Sequence, residues 1–165
     1  MKTIEDYERQ FDFWIGSWNI NQRVLQANQE WRDFKAQTIV RTILDGHALM
    51  ENWEGEVQLP WDNMSGPEYR KAISIRAYDH KKQVWNIYWL DTHNRHFLPV
   101  STGNFKDGKG EFFSLLGSPG HELKGRITFS NITAGSLDWD FAILMGNDWK
   151  TMWEMKMTRM LTHSK

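Results

Sequence analysis

Hydrophobic residues near the start of the chain recur every three or four positions, which is the spacing of an amphipathic helix. The residues with this spacing are Ile4, Tyr7, Phe11 and Trp14. Thr3 followed by Asp6 resembles a capping box, in which side chains satisfy free backbone groups at a helix start. Gly16 ends the pattern. The sequence therefore predicts a short N-terminal helix over about residues 3–12.

After this helix the pattern changes to the alternation of polar and apolar residues that is typical of β-strands. Ten segments with this pattern predict strands over residues 14–25, 31–44, 48–58, 69–78, 83–91, 98–105, 110–116, 122–132, 136–145 and 149–160. Short turns such as Asp45-Gly46 and Asp107-Gly108 separate most of them, because Asp-Gly pairs favour tight hairpins. Residues 59–68 form the longest predicted loop.

Many strands joined in sequence order by short turns favour an all-β fold, an up-and-down antiparallel β-barrel of about 8–10 strands. A closed barrel leaves no free strand edges, and a barrel of this size can hold a small ligand. An open sandwich is the alternative, because alternation alone does not distinguish the two. The chain has no repeat, linker or low-complexity tract, so residues 1–165 are predicted to form one domain.

Alternation also predicts which side chains face the barrel interior. The predicted inner face of the third strand is Leu49, Glu51, Trp53, Gly55 and Val57, and that of the fifth strand is Trp85, Ile87, Trp89 and Asp91. The predicted inner face of the ninth strand is Leu137, Trp139, Phe141, Ile143 and Met145, and that of the last strand is Trp149, Thr151, Trp153, Met155 and Met157. The fourth strand leaves two alternatives, an apolar face and a more polar one. These faces are Ile73, Ile75 and Ala77, and Ser74, Arg76 and Tyr78.

Charge and composition exclude several classes of protein. Twenty Lys and Arg against 21 Asp and Glu give a net charge of −1, whereas proteins that bind nucleic acid usually carry a strongly basic face. No apolar run approaches the roughly 18 residues of a membrane span. The first residues lack the apolar core of a signal peptide, so no membrane association and a cytoplasmic location are expected. The absence of Cys excludes disulfides, thiol nucleophiles and Cys-ligated metals.

The opening of the strand region resembles that of the lipocalins. In that family a short helical turn leads into Gly-x-Trp at the first strand, and here Phe11-Asp12-Phe13-Trp14 leads into Gly16-Ser17-Trp18. Lipocalins also place an Arg late in the last strand, packed on that Trp, and Arg159 stands at the matching place. A guanidinium stacked on an indole gains cation–π energy and would help to close the barrel floor.

A wider pattern resembles a bacterial family of lipocalin-like (calycin) domains for which no reaction is settled. The matching pieces are Leu44-Asp45-Gly46 before Leu49-Met50-Glu51-Asn52-Trp53, Arg76-x-Tyr78-Asp79 with Trp85 and Trp89-x-Asp91, Gly125-Arg126-x-Thr128-Phe129, and Trp149-x-x-x-Trp153-Glu154. The resemblance implies a barrel with an inner cavity. Haem-binding nitrobindin-type barrels use a His near the end of the barrel. Here that His would be His163, beyond the last predicted strand, so no haem and no other cofactor is expected.

Two carboxylates are the candidate catalytic residues. Glu51 lies on a predicted inner face, where burial could raise its pKa and suit it to general acid or base chemistry. The alternative is a structural ion pair of Glu51 with Arg76, Arg41 or Arg126. Asp91 ends a predicted strand, where it could be a polar anchor or an acid–base group beside Trp89, or else an ordinary strand-end cap.

The candidate ligand-binding residues combine aromatic rings with a few polar groups. Ten Trp in a small domain indicate a broad aromatic core or a wall for flat ligands. The candidates are Trp53, Arg76, Trp89, His96, Arg126, Trp139 and Trp153. Arg76 and Arg126 are the predicted internal cations, since buried guanidinium groups hold ligand carboxylates well. Trp61 lies in the long loop and could be a lid over the barrel opening.

The remaining patterns carry little chemistry. Asp91-x-His93-x-x-His96 could in principle bind a metal, but two His on a hairpin turn are usually solvated, and no metal site is predicted. No phosphate-binding loop, nucleophile elbow or zinc-protease motif is present. The sequence therefore predicts binding of a small hydrophobic or aromatic ligand in the barrel cavity. The alternatives are a cofactor-independent isomerase, cyclase or hydrolase, and a scaffold with a filled core; a homodimer remains open.

Overall fold

Ten antiparallel strands dominate the computed structural model, which describes residues 4–161, with side chains from residue 6 onward. Thr3 and His163 lie outside these residues. The strands are β1 (Gly16–Leu25), β2 (Trp31–Ile43), β3 (Ala48–Val57), β4 (Glu68–Asp79), β5 (Val84–Asp91), β6 (Ser101–Lys106), β7 (Lys109–Leu116), β8 (Leu123–Ser130), β9 (Ser136–Met145) and β10 (Asp148–Arg159). Among the described residues, no helix is long and apolar enough to cross a membrane.

Each strand pairs with its neighbours in sequence, and β1 also pairs with β10, which closes the barrel. The register of this closing pair sets Trp18 opposite Arg159 and Val24 opposite Trp153. The predicted up-and-down barrel is therefore confirmed, and the open sandwich is wrong. Closure satisfies the backbone groups that two edge strands would expose.

The N-terminal helix α1 (Ile4–Glu8) is shorter than predicted and is followed by a 3-10 turn over Asp12–Trp14. Between them Phe11 enters the end of the barrel, where its ring meets those of Trp85, Phe105, Phe112 and Phe129 at centroid distances of 4.8–5.5 Å. We call this the closed end of the barrel.

Arg159 fastens the closed end, as the lipocalin resemblance implies. Its Cζ lies 4.2 Å from the centroid of the Trp18 ring, and its Nη1 and Nη2 donate to the carbonyl oxygens of Ile15 and Phe13, both at 2.6 Å. Gly16 has a φ of +127°, and a Cβ there would lie 2.5 Å from Arg159 Nη1. The close approach of this guanidinium therefore explains the glycine of the Gly-x-Trp motif.

The inner faces predicted for β3 and β5 are confirmed by burial of alternate side chains, including Glu51, Trp53, Trp85 and Ile87. The two alternatives for β4 are now decided, because it is the polar set that points inward. Its inward-facing residues are Arg70, Ala72, Ser74, Arg76 and Tyr78. Pairing fixes this choice, since Ser74 stands opposite Glu51 and therefore shares its face.

The inner face predicted for β10 is wrong at its first half. The register shifts between Thr151 and Trp153, so Trp153 pairs with Phe141 inside the barrel whereas Thr151 pairs with Ala142 on the outside. A β-bulge adds one residue to a strand and reverses the alternation beyond it. Trp149 and Thr151 therefore lie on the outer face, and the aromatic pattern alone did not reveal the extra residue.

Candidate functional site

The accessible part of the interior lies in the half of the barrel away from α1, which we call the open end. Near the closed end the inward-facing rings of Trp18, Phe112 and Phe129 are completely buried. Four side chains farther along also point inward but remain partly exposed: Trp89, Ile127, Trp139 and Phe141. Space that solvent can reach inside the barrel is thus bordered by β5, β8 and β9.

Four tryptophans form a continuous row across this space. The ring centroids of Trp89 and Trp53 are 5.9 Å apart, those of Trp53 and Trp153 are 6.2 Å apart, and those of Trp153 and Trp139 are 5.4 Å apart. We call these residues the tryptophan row. They are the four tryptophans predicted to bind ligand, and the fold brings them together from four strands. Their role in binding remains a prediction.

The polar edges of the row are held in different ways. Trp153 Nε1 donates to Gln22 Oε1 at 2.9 Å, and Trp89 Nε1 donates to Asp91 Oδ2 at 2.9 Å. Trp53 Nε1 is buried and has no hydrogen-bond partner among the described residues. Two of the indoles are therefore fixed through their N–H groups, which leaves ring faces to contact a ligand.

Below the tryptophan row, Glu51 and Arg76 form a buried ion pair. Arg76 Nη2 lies 2.8 Å from Glu51 Oε2, and Thr38 Oγ1 lies 3.1 Å from Glu51 Oε1 and 3.0 Å from the carbonyl oxygen of Asn52. The Cζ atom of Arg76 also lies 5.1–5.4 Å from the ring centroids of Phe11, Trp14 and Phe129. Burial lowers the pKa of Arg76, and the charge of Glu51 opposes that change. Both carboxylate oxygens of Glu51 thus have a polar neighbour. The pair with Arg76 is the structural ion pair that the sequence analysis gave as the alternative to an acid–base role.

A second buried guanidinium, that of Arg70, organises the mouth at the open end. It is almost completely buried and contacts three carboxylates, those of Asp62, Glu68 and Asp91. The Asp62 contact measures 2.8 Å and the Asp91 contact 3.5 Å. The sequence analysis did not identify Arg70. Extending the polar face of β4 back from Arg76 by steps of two would have found it.

Asp91 has the character of a strand-end cap. Its carboxylate accepts hydrogen bonds from the backbone N–H groups of His93 and Asn94, at 3.0 and 2.7 Å, and from the side chains of Asn94 and Trp89. Burial alone would raise the pKa of Asp91, but these hydrogen bonds, together with Arg70, lower it below the ordinary value. A carboxylate with this many donors stays ionised and is a poor proton donor near neutral pH.

Trp61 lies over the mouth, where a lid was expected. It belongs to the 3-10 turn Pro60–Asp62, and its ring centroid is 5.8 Å from that of Phe141 on the opposite side of the opening. The next residue, Asp62, binds Arg70, so the same short turn is attached to the barrel at two points. The ring is 45% exposed, which is high for a tryptophan in contact with the barrel interior.

Two predicted ligand-binding residues do not reach the interior. Arg126 is wrong as an internal cation, because it pairs with Phe113 and Ala142 on the outer face and its Cζ lies 4.6 Å from the centroid of the Trp149 ring. His96 is exposed in the loop after β5, with Nδ1 2.8 Å from the carbonyl oxygen of Asn94. No cluster of three or more potential metal ligands occurs within the described part of the chain.

A shallow groove also runs across the outside of β1–β5. Its base is a row of paired outward-facing residues that includes Ile39, Asn52, Ile73 and Leu90. Pairing places this row on the side of the sheet opposite Glu51 and Trp53. The side chains of this row are therefore separate from those of the interior site.

Comparisons with known proteins agree with the fold. Neither a family model nor a curated protein matches the chain. Among solved structures, the S-type phycobiliprotein lyase CPES from Guillardia theta superposes with a TM-score of 0.64 and 12% sequence identity, over 94% of this chain and 93% of that chain. Together with the closed ten-stranded barrel, this similarity confirms the predicted lipocalin-like (calycin) fold.

Proposed function

We propose that the protein binds a small, flat and largely apolar ligand in the open end of the barrel, between the tryptophan row and Trp61. The observation that carries this proposal is the partial exposure of Trp89, Trp139 and Phe141, which point into the barrel and pack against its core on one side. Concave sites walled by aromatic rings and bearing a few polar groups are typical of small-molecule binding. Large rigid rings supply contact area at little cost in conformational entropy.

The polar groups around this space favour binding over catalysis. One oxygen of Glu51 accepts from Arg76 and the other lies 3.1 Å from the Thr38 hydroxyl, and Asp91 accepts several hydrogen bonds. A general acid or base must reach the proton that it transfers, and neither carboxylate is placed to do so without losing a partner. Cofactor-independent catalysis therefore has less support than binding. A cytoplasmic location, the lack of a nucleic-acid partner and a homodimer stay predictions from the sequence.

The similar structure adds support of a general kind. Its name describes a phycobiliprotein lyase, so a barrel of this fold serves a protein that acts on pigment-carrying proteins. At 12% identity we carry over the fold and its suitability for a small-molecule ligand, without the identity of that ligand.

Titration with N-phenyl-1-naphthylamine, an uncharged aromatic dye that fluoresces in apolar surroundings, tests the proposal. We expect a saturable rise in dye fluorescence with one dye per chain, and quenching of tryptophan emission. Trp139→Leu should weaken dye binding about tenfold, because it removes one wall of the row. Trp149→Leu is the matched control, since Trp149 lies on the outer face beside Arg126.

Two results would contradict the proposal. One is the absence of saturable dye binding by the unmodified protein. The other is equal weakening by Trp139→Leu and Trp149→Leu, which would place the dye outside the barrel. Urea unfolding of both variants checks that each remains folded under the conditions of the titration.

A further inference from the structure

The charges inside the barrel and at its mouth are unequal in number. Among the described side chains, two guanidinium groups, those of Arg70 and Arg76, contact four carboxylates. These carboxylates belong to Glu51, Asp62, Glu68 and Asp91. These six groups sum to a net charge of −2, and the excess lies at the mouth around Arg70.

Both internal guanidinium groups are already matched with anions. Arg76 is paired with Glu51 at 2.8 Å, and Arg70 is surrounded by three carboxylates. A ligand carboxylate that approached either group would meet these anions at short range. Like charges in a partly desolvated site repel strongly, because little water screens them. Arg76 Nε and Nη1 have no hydrogen-bond partner among the described residues, but Glu51 already balances the charge of this guanidinium.

Three further basic groups at the open end are each engaged by a polar neighbour. Arg32 is exposed and donates to Gln58 Oε1 at 2.8 Å, and Lys150 donates to Gln29. The imidazole of His93 lies 3.2 Å from Glu68, so it is drawn to the same acidic mouth. The contacts of these three groups are thus with residues outside the tryptophan row.

The tryptophan row supplies the second half of the argument. Its four indoles meet at centroid distances of 5.4–6.2 Å, and those of Trp89 and Trp139 are partly exposed. An indole face attracts cations through the negative charge above its ring. Trp89 gains further electron density because its N–H donates to the ionised Asp91. The row and the mouth therefore favour the same sign of ligand charge.

We propose that the ligand of this site is an organic cation, an ammonium or similarly charged group carried on a flat apolar body. The cationic group lies against the tryptophan row below Asp91, and the apolar body lies under Trp61 and Phe141. This proposal rests on the proposed ligand-binding function and specifies the charge of the ligand. It replaces the expectation that Arg76 or Arg126 anchors a carboxylate.

Three probes that share one ring system separate charge from shape. They are (2-naphthylmethyl)trimethylammonium, 2-naphthalenemethanol and 2-naphthylacetate, measured by isothermal titration calorimetry with the full chain. We expect the ammonium probe to bind at least about tenfold more tightly than the carboxylate, with the alcohol between them. Added salt should reduce the difference, because it screens the charges at the mouth.

Two aspartate variants locate the origin of this preference. Asp62→Asn removes one negative charge at the mouth and leaves Arg70 with Glu68 and Asp91, so the ammonium-to-carboxylate affinity ratio should fall about threefold. Asp138→Asn is the control, since Asp138 lies outside the barrel beside Asn131 and Lys156. It removes the same charge from the chain and should leave the ratio unchanged.

The outcomes distinguish this proposal from the one on which it rests. Equal or tighter binding of the carboxylate probe would overturn the cation preference while leaving ligand binding in place. An equal effect of Asp62→Asn and Asp138→Asn would also overturn it, because overall charge rather than the mouth would then set the ratio. Failure of all three probes and of the neutral dye to bind would overturn the proposed function itself.

Discussion

The closed and open ends of this barrel are built from the same kinds of residue but differ in how the residues are packed. At the closed end, rings from the N-terminal segment fill the interior, and Phe11, Phe112 and Phe129 are completely buried. At the open end, Trp89, Trp139 and Phe141 point inward and remain partly exposed. An aromatic residue therefore signals a core or a binding wall only once its neighbours are known.

The two ends differ in their charges as well. Arg76 near the closed end has one carboxylate partner and a cage of aromatic rings. Arg70 at the mouth has three carboxylate partners and holds the turn that carries Trp61. Loss of Glu51 would leave Arg76 without an opposite charge, whereas Arg70 would keep two carboxylate partners if one of its three were removed.

Removal of a ring from the closed end should have the largest effect on stability. Phe112→Ala leaves a cavity among Phe11, Phe105 and Phe129, which lie 5.5–5.9 Å from it, and should cost about 3–5 kcal/mol of unfolding free energy. Phe141→Ala at the open end is the control and should cost about 1–2 kcal/mol, because part of that ring is already exposed. Urea unfolding measures both, and equal losses would contradict the distinction between the ends.

Removal of one carboxylate from each ion-pair site should give a smaller difference in unfolding free energy between the two ends. Glu51→Gln leaves the Arg76 guanidinium buried without an opposite charge and should cost about 3 kcal/mol. Asp62→Asn should cost about 1 kcal/mol, because Arg70 keeps Glu68 and Asp91. Adding Arg76→Met to Glu51→Gln should recover part of the loss. A larger loss for Asp62→Asn in chemical denaturation would show that the mouth, not the interior pair, stabilises the barrel.

The smallest expected effect is a difference in pH dependence between an inner and an outer aspartate. The lowered pKa of Asp91 means that its charged form stabilises the fold above the ordinary carboxyl pKa of about 4, and that this stabilisation fades as the pH falls through the folded-state pKa. Burial on the outer face raises the pKa of Asp140, although Arg126 opposes the change. The charged form of Asp140 therefore opposes folding near neutral pH.

Substitution by Asn should reveal these opposite signs. Near pH 7, Asp91→Asn should lower stability, whereas Asp140→Asn should raise it by less than about 1 kcal/mol. Both differences from the unmodified protein should shrink as the pH is lowered to about 3. Thermal unfolding at several pH values measures them. A shift of the same sign for both variants would refute the assignment of opposite pKa changes.

The sequence predicted the strands better than it predicted the positions of individual side chains. Strand number, most strand boundaries and the packing of Arg159 on Trp18 were predicted correctly, because they depend on local alternation and on a short motif. Trp149 was misplaced because a bulge at the middle of β10 reverses a pattern that had looked continuous. Arg126 was misplaced although alternation with Ile127 and Phe129, which form the inward face of β8, already puts it on the outer face.

For the candidate site, the sequence by itself determined which residues were available. These are many tryptophans, a few charged residues in strands of alternating polar and apolar positions, and Trp61 in the predicted loop 59–68. Only the tertiary structure decided which of them meet. Closure of the barrel placed Trp89, Trp53, Trp153 and Trp139 in one row and joined Arg70 to carboxylates from three segments. Alternation is set within a strand, whereas such contacts depend on the register between strands that are far apart in sequence.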